Sequence, residues 1–95
     1  MDSIIQEDKD KCYICGKYGH MDEHHVFNGC NRKLSEKYGV KVYLCHIGCH
    51  MYGPNAVHSN PGVARELKKR CQLIAMKHYG WDEDNFRKVF GKSYL

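Results

Sequence analysis

The chain has little from which to build a large apolar core. It contains one Trp, three Phe and two Pro, its large aliphatic residues are few, and its mean hydropathy is −0.67. No apolar run approaches the roughly 18 residues of a membrane span. Residues 1–11 carry Asp2, Glu7, Asp8 and Asp10 and lack the positive start and apolar stretch of a secretory signal, so a cytoplasmic protein without membrane contact is expected. No repeat, linker or low-complexity segment is present. With 95 residues there is room for one small domain, 1–95, in which 1–11 reads as a loose lead-in. So small a core is expected to need a staple.

Six Cys and seven His suggest what the staple is. In a reducing compartment Cys pairs at close spacing are metal ligands more often than disulfides, with a disulfide framework as the alternative. The formal net charge of +4 permits a polyanionic partner without requiring one. Arg65, Lys68, Lys69 and Arg70 form a basic stretch, so a phosphate-binding surface is expected beyond the acidic N-terminus.

Coarse periodicity gives an α+β order. Met21 to Phe27 and Val40 to Leu44 read as strands, and Asn28-Gly29 is a turn signal. Residues 31–39 have room for a helical turn, and Cys45 to Ser59 reads as an irregular, ligand-bearing loop. Asn60-Pro61 opens a helix that Gly80 closes, with Val63, Leu67, Cys71, Ile74 and His78 as its apolar stripe. A shorter helix runs from Trp81-Asp82 to Phe90, with Phe86, Val89 and Phe90 covering the core.

Cys12-x-x-Cys15-Gly16 is a knuckle sequence, and Cys45 and Cys49 form a second pair after a strand. Four thiolates from two turns suit a closed tetrahedral zinc site. Because the second pair is Cys-x3-Cys, His46 or His50 could replace one member. Cys71 reads as a small core residue and Cys30 as a turn residue. His24 and His25, adjacent on a strand, should point to opposite faces and have different jobs.

The order Cys12-x-x-Cys15, His24-His25-Val26, Asn31, Cys45-x3-Cys49-His50 and Val57-His58, followed by a helix, resembles the zinc-stapled HNH endonucleases of the His-Me finger (ββα-metal) superfamily. The string HHVFNG, NRKLSEKYG, VYLC and VHSNP resembles small HNH-like proteins of phages and prophages, and the resemblance spans residues 12 to about 70. It implies a ββα-metal core with added C-terminal helices, gripping one divalent ion such as Mg²⁺, Mn²⁺ or Ni²⁺ beside the structural Zn²⁺. By position, His24 resembles a ligand of that ion and His25 the general base. Asn31 resembles the middle residue that fixes the loop or orients His25, and His58 resembles the final ligand, with His50 as competitor or third ligand. The implied partner is DNA, duplex or branched, in the host cytoplasm if the chain is phage-encoded.

The chemistry is coherent on general grounds, because a metal offsets charge developing on phosphoryl oxygens and an imidazole takes a proton from water near neutral pH. Arg32, Lys33 and Lys37 are candidate phosphate clamps, or simply a solvated charge run. Base, metal and clamps are expected on one face. The alternatives are a non-catalytic zinc module that binds nucleic acid or protein, and a nuclease-like scaffold that engages a phage or host protein.

Overall fold

The segment Lys41–Cys45 carries Val42 and Leu44 into the core, and the more polar segment Met21–His25 pairs with it and buries His24 and His25 at its end. In the computed structural model, which describes residues 2–54 and 56–95, β1 (Met21–His25) runs antiparallel to β2 (Lys41–Cys45). Met21 stands opposite Cys45, His24 opposite Val42 and His25 opposite Lys41. β1 thus stops at His25 rather than Phe27, although the Val26 N–H still donates to the Val40 carbonyl at 3.1 Å. Val26 and Phe27 leave the ladder to enter the core.

A 3-10 turn (Gly29–Asn31) leads into α1 (Arg32–Tyr38). Ser35 docks this helix on the end of β1: its buried hydroxyl donates to the Phe27 carbonyl at 2.6 Å and accepts the Phe27 N–H at 3.1 Å. Gly39 closes α1 at φ 71°, and a Cβ there would stand 2.5 Å from the Asp2 carbonyl oxygen. Only glycine meets both demands.

The N-terminal stretch, expected to be loose, is tied to the hairpin. The Ile4 N–H donates to the Gly39 carbonyl at 2.9 Å, the Tyr43 N–H donates to Gln6 Oε1 at 2.9 Å, and Ile4 and Ile5 pack against the core. The outer edge of β2 needs partners for its backbone groups, and this stretch supplies them.

Beyond β2 the chain is more regular than expected, because His46–Met51 winds into a wide π-type turn. Helix α2 (Pro61–Tyr79) begins and ends as its sequence predicts. Asn60 Oδ1 accepts the N–H groups of Gly62 (3.1 Å) and Val63 (3.3 Å), a cap worth about 1 kcal/mol, and Gly80 closes the helix at φ 69°. Its buried face is rotated from the expected stripe: Leu67, Cys71, Gln72 and Ala75 are buried, while Ile74 is half-buried and His78 exposed. Gln72 can occupy the interior because its Nε2 donates to Ser93 Oγ at 3.0 Å and its Oε1 accepts the Tyr94 N–H at 2.7 Å.

Helix α3 (Glu83–Phe90) starts from a reciprocal cap between Asp82 and Asn85, so Asp82 precedes the helix rather than opening it. Phe86 and Phe90 close over Phe27 with ring centroids 5.3 and 4.8 Å away, and Val89 is half-buried. The result is an α+β domain, a hairpin with helices packed on it and a cluster of four cysteines. Among the described residues no helix is long and apolar enough to cross a membrane.

Candidate functional site

Two backbone turns bring the cysteine pairs together. In the first, Cys12 N–H donates to the Lys17 carbonyl at 2.8 Å, Gly16 N–H to the Cys12 carbonyl at 3.0 Å, and Cys15 N–H faces Cys12 Sγ at 3.5 Å. The Tyr13 N–H donates to the Tyr43 carbonyl at 2.8 Å, which hooks this knuckle onto β2 beside the second pair. The four sulfurs of Cys12, Cys15, Cys45 and Cys49 lie within 4.8 Å of one another. Cys15 Sγ and Cys45 Sγ are 3.8 Å apart.

That spacing discriminates between the two sequence readings. A disulfide needs about 2.05 Å between sulfurs, whereas the edge of a tetrahedron with 2.3 Å zinc–sulfur bonds is about 3.8 Å. All six cysteines are free, and the four clustered ones are compatible with zinc. Burial would raise the Cys12 thiol, but N–H groups of Cys15, Cys45 and Ile14 outweigh it and bring its pKa down to about 6. Burial pushes Cys45 and Cys49 up, as expected where several thiols crowd and only a cation would let them ionise together. His46 and His50 do not replace a cysteine. Cys71 lies fully buried on α2, and burial raises its thiol to about 12, as suits a core residue, while Cys30 is exposed.

A second cluster forms on the α2 side of the hairpin. His24 from β1, His50 from the turn after β2 and His58 from just before α2 place one ring nitrogen each within 4.8 Å of the others. His50 Nε2 and His58 Nε2 are 3.1 Å apart, and the His24 ring meets both edge-on at 5.2 and 5.4 Å between centroids. Burial, with the nearby His50 and His58, lowers the His24 pKa to about 3, and burial lowers His58 as well. Both shifts favour the neutral ring, which offers a lone pair and is the form a metal binds. The interval between His50 and His58 brings both to the cluster.

Asp22, two residues before His24 and on the same face of β1, joins the cluster from the side. Its Oδ2 contacts Nδ1 of both His46 and His50, and these hydrogen bonds hold its carboxyl below the usual range. Period-2 alternation could have found Asp22.

His25 faces the other way. Its Nε2 is 3.0 Å from Glu36 Oε2, and Lys41 Nζ donates to both Glu36 oxygens at 2.9 and 3.2 Å and lies 3.4 Å from Glu23. Hydrogen bonds from Lys41 and His25 bring the Glu36 carboxyl down to about 2. Glu23, His25 and Glu36 also cluster within 4.8 Å, but the Lys41 ammonium already fills the role a cation would take there.

The expectation that base, metal ligands and clamps share one face is thus corrected. His24, His50 and His58 lie on the α2 side, and His25 lies on the α1 side because adjacent strand residues alternate. Arg32 and Lys33, exposed and one turn before Glu36, share the α1 side with His25, while Lys37 is exposed with Nζ 5.4 Å from the Tyr38 ring centroid. Asn31 does not reach His25, because its Nδ2 donates to the Phe90 carbonyl at 2.9 Å. Of its two expected roles, fixing the loop fits that contact. A groove of about 1030 Å³ along α2, between Tyr13, Ile14, Val63 and Leu95, contains none of these histidines.

Comparison of the chain with protein-family models, with curated proteins and with solved structures finds no match.

Proposed function

We propose that the protein is a metal-dependent endonuclease of the HNH type, hydrolysing phosphodiester bonds of DNA. The observation that carries this reading is the convergence of His24, His50 and His58 beside the start of α2. Three imidazoles suit a borderline divalent cation such as Mn²⁺ or Ni²⁺ and leave room for oxygen ligands, and Mg²⁺ is a further candidate. When bound, such an ion offsets the charge that develops on phosphoryl and leaving oxygens. The four cysteines would hold a structural zinc and keep the β2–α2 segment in place.

His25 is the general base in this reading. Glu36 engages Nε2, so Nδ1 is the atom that takes a proton from water, with the substrate lying across the end of β1. Glu36 then orients the ring in the role assigned by resemblance to Asn31. Arg32, Lys33 and Lys37 on α1 hold flanking phosphates as charge-assisted hydrogen-bond donors.

A second reading is a non-catalytic zinc module that binds nucleic acid or a protein. One observation favours it: the His25 side chain is only 9% exposed and sits within an ion-pair network, as a structural histidine would. Nicking of supercoiled plasmid with Mg²⁺, Mn²⁺, Ni²⁺ or EDTA separates the two. The nuclease reading expects ion-dependent nicking that falls at least about 100-fold in His25→Ala with zinc content unchanged. A His25→Ala protein that cleaves like the parent, or a parent inactive with every ion, leaves the zinc module standing.

A further inference from the structure

His50 is the member of the histidine cluster whose two ring nitrogens face different partners. Nδ1 lies 2.9 Å from Asp22 Oδ2, and Nε2 lies 3.1 Å from His58 Nε2, toward the point where His24 also converges. We infer that Asp22 is a positioning residue that fixes His50 in the tautomer presenting its Nε2 lone pair to a divalent cation. This rests on the proposed reading of the histidine cluster.

An imidazole that binds a metal carries one proton, and an ionised carboxylate can only accept. At 2.9 Å the proton between His50 and Asp22 must therefore sit on Nδ1, which leaves Nε2 unprotonated. Rotation of the ring would break this bond. Asp22 is anchored for the task, since its backbone lies in β1 opposite Leu44 and its side chain shares the face of His24. A carboxylate behind a metal-binding histidine also makes the imidazole a stronger donor.

Asp22, His46 and His50 could instead form a metal site of their own, since their ligand atoms also lie within 4.8 Å. The Asp22–His50 separation of 2.9 Å is that of a hydrogen bond, and the His46→Ala variant separates the two arrangements. His46 is 58% exposed at its side chain and contacts the same carboxylate oxygen from the solvent side. It is dispensable under this inference.

The test is calorimetric titration of the zinc-loaded chain with Mn²⁺, a hard ion that leaves thiolate-bound zinc in place. Asp22→Ala should weaken Mn²⁺ binding roughly 10- to 100-fold with zinc content and circular dichroism unchanged. Asp22→Asn, whose amide oxygen can still accept the Nδ1 proton, should recover most of that loss, and it serves should the alanine variant misfold. His46→Ala should bind like the parent. Parent-like binding by Asp22→Ala overturns the inference alone, as does a His46→Ala loss equal to that of Asp22→Ala, which would move the ion to the Asp22 group. A parent that binds no Mn²⁺ removes the metal reading beneath it.

Discussion

The side-chain amide of Asn31 donates to the backbone carbonyl of Phe90 at 2.9 Å, which joins the turn after β1 to the last residue of α3. This bond satisfies one of the carbonyls that a helix C-terminus leaves without an internal partner. Asn31→Ala should lower stability by about 1 to 2 kcal/mol, read in thermal unfolding. It should leave the Mn²⁺ affinity of the histidine cluster unchanged. A loss of affinity without loss of stability would return Asn31 to the site.

Zinc removal should be more drastic. The four cysteines join segments 30 residues apart, and metal binding of this kind contributes on the order of 10 kcal/mol to folding in small domains. One zinc per chain is expected by elemental analysis, with Cys12→Ser unfolded under native conditions. Rapid reaction of all six thiols in the native protein would refute the site.

The rotated face of α2 gives a packing test. Leu67 is 7% exposed within the core, so Leu67→Ala should cost about 2 to 4 kcal/mol through lost burial and a cavity. His78→Ala, at an exposed position, should change stability by less than about 0.5 kcal/mol. Equal effects in urea unfolding would contradict the observed face.

Glu36 sets an acid limit. Its carboxyl pKa is brought down to about 2 by hydrogen bonds from Lys41 and His25. A depressed carboxylate stabilises the fold above its unfolded pKa near 4.3, and that contribution is lost as pH falls from there toward 2. Glu36 is 44% exposed, so solvent screening reduces the gain. Parent and Glu36→Gln stabilities should therefore differ most above pH 5 and converge on acidification. A gap that stays constant with pH would assign Glu36 a purely steric role.

What could be read from the sequence was local. Asn60, Pro61 and Gly80 mark α2 because capping is decided within a few residues, and the spacing of Cys12 and Cys15 is itself the chemistry of a knuckle. The alternation of His24 and His25 was legible, but its consequence was not. That His25 meets Glu36 and Lys41 depends on the register of β1 with β2 and on where Ser35 docks α1. The phase of α2 shifted because Gln72 finds polar partners at Ser93 and Tyr94, which hydropathy cannot anticipate. The attachment of Ile4 to Gly39 likewise required the edge of β2 to exist first.

Cys49 and His50 are neighbours in sequence, yet one side chain belongs to the thiolate cluster and the other to the imidazole cluster. The π-type turn that carries them therefore couples the two groups through a single peptide bond. An ion held by the thiolates fixes where His50 begins, and an ion held by the imidazoles restrains where Cys49 ends. By thermodynamic reciprocity each occupancy tightens the other. Were both groups to hold ions, loading would be cooperative, so stripping the metal from the sulfur cluster would weaken ion binding at the histidines.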